Sequence, residues 1–256
     1  MHRNTTGWLL FVLCGTGCAE SAPMPVLAAV DMVGQVAAEA ALLAIEFDGT
    51  LSTSSPVEAA TRAAANLQKA LTPEGCATVQ AADHVVSATL NGCMGPYGMP
   101  RLAGDFTTTY AKMSVDGSRQ LQATLAATKF HIESAVVDLL TVASVAPMGG
   151  MNFNSTSSGL SGRGFDFQRR GDYAALWDSK CLHVDAEWAL DVNKFSWTTT
   201  IEGFVGCTGA CPESGSVEIA SSDPSVVYGV IYNGTSAAIW SSTSDQPAEV
   251  AVACHL

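Results

Sequence analysis

The hydrophobic pattern changes its period at Cys76, and this change limits the chain to few architectures. Before this point, apolar residues recur every three or four positions, which is the spacing of amphipathic helices. After it, polar and apolar residues alternate in about a dozen short segments, which is typical of antiparallel strands with one buried face. The sequence therefore predicts an α+β fold, mainly β, in which an N-terminal helical hairpin precedes a large antiparallel β-sheet or sandwich.

The first predicted helix covers residues 26–47, and its apolar side is expected to pack on the inner face of the sheet. Asp31, Gln35 and Glu39 follow each other at intervals of four along another face of this helix. A second helix is predicted from Pro56 to Leu71, because Ser55 and Glu58 form a capping box around a proline at the first helical position.

The composition along the chain divides it into six predicted segments. Residues rich in glycine, serine and asparagine lie between two groups of strand-like segments, which favours a linker there. The predicted segments are a signal peptide (1–17), a lipid-anchored tether (18–25), the helical hairpin (26–72), a first antiparallel β unit (73–146), a linker or long loop (147–162) and a second antiparallel β unit (163–256).

The N-terminus has the order of residues that is typical of an export signal. A positive charge at Arg3 precedes the apolar residues 8–13, and small residues then lead to Cys18. This order predicts cleavage before Cys18 and acylation of its thiol, so that a lipid anchor attaches the mature chain to a membrane. The alternative is ordinary cleavage after Ser21. The apolar run 8–13 is too short to span a bilayer.

Six cysteines follow Cys18 in the sequence, and an even number of cysteines in an exported protein predicts disulfides, here three. These six cysteines allow 15 pairings, and a weak internal repeat places a Gly-Cys pair after each of two earlier cysteines. If the two units are equivalent, Cys76 pairs with Cys93 and Cys181 with Cys207, which leaves Cys211 for Cys254. A zinc site is the other interpretation of such cysteines, but no Cys-x-x-Cys pair occurs in the sequence.

The charge balance excludes one class of partner. The chain carries 24 acidic and 12 basic residues, a formal net charge of −12. Phosphate backbones require stripes of lysine and arginine, so no nucleic-acid partner is predicted. No cofactor-binding motif stands out either, so we expect no cofactor.

One short motif resembles part of a phosphatase active site. Residues 41–51, "ALLAIEFDGTL", resemble the apolar strand and Asp-x-Asp-Gly-Thr loop of haloacid-dehalogenase phosphatases. Glu46 stands where the nucleophilic aspartate belongs, and its extra methylene displaces the attacking oxygen. The helical spacing instead makes Glu46 part of the last helical turn, with Asp48 and Gly49 as the exit.

The best constellation for chemistry is His183, Asp185 and Glu187. In a strand these three side chains point to one face, so they are weak candidates for a metal site or for acid–base catalysis. The alternative is a solvated strand face opposite a packed Trp188, which simple alternation predicts without any site. We expect no enzyme.

Several segments resemble a known group of proteins. The chain is similar to uncharacterised outer-membrane lipoproteins of myxobacterial type in its predicted signal cleavage before a cysteine and in four segments. These segments are "EGCATV", "NGCMGPYG", "GDYAALWDSKCL" and "GFVGCTGACPESGSVEIA". The resemblance implies a cysteine-rich β domain and a cell-envelope location, either anchored to the outer membrane or periplasmic.

Two functions remain as hypotheses. The first is a non-catalytic envelope lipoprotein that binds or scaffolds at the membrane surface. The second is a periplasmic carrier of an apolar ligand, held between the helices and a curved sheet. An apolar cavity between helix and sheet would favour the carrier, and a tightly packed interior would favour the scaffold.

Overall fold

The structure is a computed structural model that describes residues 22–47, 55–115, 118–145, 150–193, 195–221, 226–243 and 247–252. Two helices, α1 and α2, precede thirteen strands, and the fold class is α+β, mainly β, as the sequence predicts. The elements are α1 (Met24–Glu46), α2 (Pro56–Ala70), β1 (Ala77–Ala82), β2 (Val85–Cys93), β3 (Leu102–Val115), β4 (Ser118–Ile132), β5 (Ala135–Val145), β6 (Met151–Leu160), β7 (Asp166–Trp177), β8 (Cys181–Val192), β9 (Phe195–Cys207), β10 (Ser214–Ser221), β11 (Val227–Tyr232), β12 (Ala237–Ser242) and β13 (Ala248–Ala251).

The thirteen strands form one antiparallel sheet in which each strand pairs with its neighbour in sequence. Along β8 the even-numbered positions from Leu182 to Val192 are buried and the odd-numbered ones from His183 to Asp191 are exposed. One face of the sheet therefore packs on the core, and the other faces solvent. The two predicted β units therefore belong to one sheet, and the sandwich alternative does not apply.

The sheet curves around α1. This helix contacts β4 and β8 to β11, and its side chains bond to β3, β5, β6 and β7 as well. In a flat sheet, β3 and β11 would lie roughly 40 Å apart, whereas a helix is about 10 Å wide. One helix can reach all these strands only because the sheet bends around it.

Helix α1 is a core helix. Of its 23 residues, 17 are buried, and alanines let the surrounding strands approach closely. Among the described residues it is also the one helix that is long and apolar enough to cross a membrane, yet 78% of its apolar window is buried inside the structure. The structure therefore buries α1 on more sides than the single apolar face that its pattern predicts.

Helix α2 begins as its capping box predicts. The Ser55 side chain accepts a hydrogen bond from the Glu58 backbone N–H at 3.2 Å, which satisfies one free donor of the first turn. Its buried stripe consists of Ala59, Ala60, Ala63 and Leu67. Helix α2 packs against α1 and the first three strands, so it covers one edge of the sheet.

The predicted linker at 147–162 is wrong for most of its length, because residues 151–160 form β6. This strand pairs along its full length with β5 and β7. Its inward-facing residues are Met151, Phe153, Ser155 and Ser157. Two of these four are buried serines, of which Ser155 bonds to Glu39, and serines at inward positions hide the alternation of apolar and polar residues that predicts the other strands.

Two of the three predicted disulfides are confirmed. Cys76 is bonded to Cys93, and Cys181 is bonded to Cys207. Each disulfide joins the ends of two neighbouring strands. Cys211 is disulfide-bonded as well, and its predicted partner Cys254 lies outside the described residues. Disulfides persist in oxidising compartments, which indicates an extracytoplasmic protein.

Candidate functional site

A row of polar side chains runs along the otherwise apolar helix α1 and determines how the helix sits in the sheet. Asp31, Gln35 and Glu39 are spaced four residues apart, and Glu46 follows in the last turn. Residues at this spacing lie on one side of a helix. Gln35, Glu39 and Glu46 are all buried, so the row is an internal feature and each member needs a partner.

Glu39 is held by four strand residues. Its carboxylate is paired with the Arg169 guanidinium and accepts hydrogen bonds from Tyr173 at 2.7 Å, Ser155 at 2.9 Å and Thr141 at 3.1 Å. Burial and the negative charge of Glu39 raise the pKa of Tyr173, so this hydroxyl stays a neutral donor. Glu39 and Arg169 are each 1% exposed at the side chain, which makes this cluster an anchor for α1 that solvent does not reach.

Glu46 anchors the end of the same helix to β3. Its carboxyl group accepts hydrogen bonds from Tyr110 and from Thr108, the latter at 2.9 Å. Burial raises the pKa of Glu46 to about 7, against the lowering effect of these two hydrogen bonds. The buried carboxyl group of Glu46 therefore titrates near neutral pH in the folded protein.

The third buried member, Gln35, faces a pocket between α1 and the sheet. The pocket has a volume of about 300 Å³. Apolar side chains form much of its buried wall, including Val33, Ile132 and Phe204. It lies where the β2–β3, β4–β5 and β6–β7 connections meet α1, and such a mainly apolar cleft with few polar groups is the usual form of a small-molecule site.

Two buried polar groups at this pocket have no partner. Neither amide atom of Gln35 bonds to any described residue, and the same is true of the Tyr232 hydroxyl on β11. Both side chains line the pocket, and they are only 2% and 4% exposed. An unsatisfied buried polar group costs about 1–3 kcal/mol, so such groups in a native protein require an explanation. Among the described residues, other buried polar atoms without a partner lie on Ser157, Arg169, Trp188, Thr199 and Trp240, but only Gln35 and Tyr232 of this set line this pocket, where a bound ligand would supply the missing partners.

Tyr232 is fixed as a neutral hydrogen-bonding group. Its ring packs edge-on against Phe204 at a centroid distance of 5.4 Å. Burial raises the pKa of Tyr232, the Asp31 carboxylate adds to this effect and Arg163 opposes it. The hydroxyl thus keeps its proton at any physiological pH and can donate or accept a hydrogen bond.

An ion pair lies at the rim of the pocket. Arg163, in the β6–β7 connection, donates from Nε to the Asp31 carboxylate at 2.9 Å and from its guanidinium to the Ala251 carbonyl at 3.0 Å. One side chain thus joins α1, the β6–β7 connection and the last strand. This contact connects the last strand to the β6–β7 connection at the rim of the pocket.

A larger depression of about 1020 Å³ lies on the outer face of the sheet, but its acidic side chains already have local partners. Asp105 accepts from Thr89 and Asp138 from the Lys129 backbone. We therefore consider the buried pocket to be the better candidate site.

The residues proposed from sequence for chemistry lie elsewhere. His183, Asp185 and Glu187 are exposed on the outer face of β8, where Asp185 accepts a hydrogen bond from the Gly203 backbone at 2.7 Å. The structure therefore has the arrangement that alternation predicts, opposite a buried Trp188.

Among the described residues, the one cluster with metal-ligand spacing is Cys181, Cys207 and Glu213. Its two cysteines form a disulfide, so they offer no thiolate to a metal. Cys18, the predicted lipidation site, lies outside the described residues.

The phosphatase interpretation fails on structure as well as on sequence. The phosphatase loop follows a strand, whereas residues 41–46 belong to α1. Glu46 is completely buried and bonded to Tyr110 and Thr108, so it is not accessible to a substrate. Asp48 and Gly49 lie outside the described residues.

Comparison with known proteins gives no relative from which a function could be inferred. The chain matches no family model, no curated protein and no solved structure. The geometry of the pocket is therefore the main ground for a functional proposal.

Sequence reasoning did not find the pocket residues Gln35, Tyr232 and Arg163. The sequence contains one relevant signal: Gln35 lies in a long alanine-rich helix, four residues after one acidic residue and four residues before another. That spacing was interpreted as a second helix face, because a single sequence does not show that the sheet surrounds this helix.

Proposed function

We propose that the protein is a non-catalytic, extracytoplasmic binding protein that carries a small, mainly apolar molecule in the pocket between α1 and the sheet. The observation that carries this proposal is the pair of unpartnered buried groups, Gln35 and Tyr232, in a mainly apolar cavity. An apolar cavity at this place favours the carrier over a scaffold with a tightly packed interior.

A lipid anchor at Cys18 would hold this carrier at the cell envelope. The order of charged, apolar and small residues at the N-terminus supports export, and the disulfides support an oxidising compartment outside the cytoplasm. The anchor would keep the pocket near a membrane, where apolar molecules are concentrated.

The pocket can be blocked at Gly34, where the backbone leaves room for a side chain. A Cβ atom at this helical position would meet no heavy atom within 4 Å, and Gly34 lines the pocket. We expect Gly34→Phe to abolish binding of prodan, a neutral naphthalene ketone whose emission reports an apolar environment. Wild-type protein should bind prodan saturably and shift its emission to the blue, which a fluorescence titration measures.

The matched control is Gly34→Ala, which adds one methyl group and leaves the pocket open. It should bind prodan like the wild type and gain up to about 1 kcal/mol of stability, because alanine is the better helix former. Saturable binding that survives Gly34→Phe, or no saturable binding by the wild type, would contradict the proposed site.

The lipid anchor is tested by the intact mass of the mature protein. We expect a chain that begins at Cys18 and carries acyl chains, recovered with the membrane fraction. Cys18→Ser should remove the acyl mass and release the protein from the membrane. A mature chain that begins after Ser21 without added mass would show ordinary signal cleavage instead.

A further inference from the structure

The unpartnered groups in the pocket also restrict the chemistry of the ligand. A glutamine side chain presents an acceptor oxygen and a donor nitrogen side by side, and in either orientation of the amide both remain next to each other. Both atoms of Gln35 are buried without a partner. A ligand that offers only an acceptor or only a donor leaves half of this amide unsatisfied.

The charges around the pocket argue against an ionic head group. Among the described lining residues, Arg163 is the sole cation, and its guanidinium is already paired with Asp31 and bonded to Ala251. An anionic head would thus be buried without a free cation, and Glu133 at the rim adds negative charge. A cationic head meets two lining carboxylates that already have partners, since Asp31 is paired with Arg163 and Glu133 accepts a hydrogen bond from the Arg101 backbone N–H at 2.7 Å. A neutral head is therefore favoured.

We infer that the pocket recognises a neutral amide edge, a primary carboxamide or a cyclic lactam, carried on a small apolar body. This inference rests on the proposed function and names the ligand class of the same site. The amide edge presents a donor beside an acceptor, so it pairs with both atoms of Gln35. The Tyr232 hydroxyl supplies one further hydrogen bond to the ligand, and the apolar body occupies the wall formed by Val33, Ile132 and Phe204.

Ligands with one apolar body and different heads test this inference by calorimetric or competition titration against prodan. Naphthamide should bind wild-type protein at least tenfold more tightly than acetylnaphthalene, naphthoate or naphthalene, because only its head satisfies both Gln35 atoms. Carbostyril, a two-ring lactam, distinguishes the cyclic from the open amide. Either amide binding preferentially supports the inference.

Gln35→Leu is the decisive variant. Leucine removes the unsatisfied amide, so the variant should be as stable as the wild type or more stable, and the fold is not at risk. It should lose the tenfold preference for naphthamide and bind naphthalene at least as tightly as before. Tyr232→Phe should lower the affinity for naphthamide by a smaller factor and keep the preference over naphthalene.

The two proposals fail in different ways. Equal affinities of wild-type protein for all four naphthalene compounds, or a preference that survives Gln35→Leu, would overturn the amide inference and leave the carrier intact. Tighter binding of naphthoate than of naphthamide would overturn it as well. No saturable binding of any compound would overturn the carrier and this inference together.

Discussion

Arg169→Met should destabilise the protein by about 3–5 kcal/mol, because it leaves the Glu39 carboxylate buried without its charge partner. Methionine preserves the apolar stem beside Trp188, over whose ring the guanidinium lies at 5.9 Å. Ser155, Thr141 and Tyr173 still donate to the carboxylate, but neutral donors do not balance a full negative charge. Urea unfolding with intact disulfides measures the free energy of unfolding.

The control for this prediction removes both charges. In Glu39→Gln/Arg169→Met, the amide oxygen still accepts from the hydroxyl donors and no uncompensated charge remains. The double variant should recover most of the stability that the single variant loses, with an interaction energy of about 2–3 kcal/mol in the double-mutant cycle. A double variant that is no more stable than Arg169→Met would show that the ion pair is not what holds α1 here.

Glu46→Gln should change how stability depends on pH. The carboxyl pKa rises from 4.5 to about 7 on folding, so between these values the folded chain binds a proton that the unfolded chain has lost. Stability contributed by this group is therefore complete below pH 4.5 and decreases as pH rises to 7. At 1.36 kcal/mol per pKa unit, the wild type loses about 3 kcal/mol over this window through Glu46.

Glutamine is neutral at every pH. Its amide oxygen accepts from one of the two hydroxyls of Tyr110 and Thr108, and its NH2 group donates to the other, as the O–H of a protonated carboxyl group does. The variant should match the wild type below pH 4.5 and exceed its stability by about 3 kcal/mol at pH 8, which corresponds to about 6–12 °C in Tm for a chain of this size. All other titrating groups are common to both proteins, so the difference between the two stability curves isolates Glu46.

A surface glutamate provides the matched control for this measurement. Glu218 is exposed on β10, so Glu218→Gln should leave the pH dependence of stability unchanged. Parallel curves for wild type and Glu46→Gln between pH 5 and pH 8 would contradict a buried carboxyl group that is protonated near neutrality.

The contacts of Glu39 and Asp31 position the candidate binding site. Glu39 lies one helical turn after Gln35, and its bonds to β5, β6 and β7 fix the rotation of α1 inside the sheet. Asp31, one turn before Gln35, is fixed by Arg163. Gln35 is therefore held between two satisfied neighbours, and its own unpaired amide is a property of the pocket and not of a poorly packed helix.

The sequence determined the local structure because local structure depends on neighbours along the chain. The capping box at Ser55, the period-two alternation of the strands and the Gly-Cys spacings predicted α2, most of the sheet and two disulfides. Strand β6 was not predicted because inward serines at Ser155 and Ser157 are typical of a loop. The Glu39 cluster on α1 explains why Ser155 is buried there.

Only the tertiary structure decided what the polar row on α1 does. Whether Asp31, Gln35 and Glu39 meet water, strands or a cavity depends on the curvature of a sheet whose partner residues lie more than 100 positions away. Curvature results from the packing of the whole sheet around the helix, and no short window of sequence contains it. The same spacing that marks a solvated helix face in one fold thus marks two contacts with the sheet and a candidate binding pocket in this one.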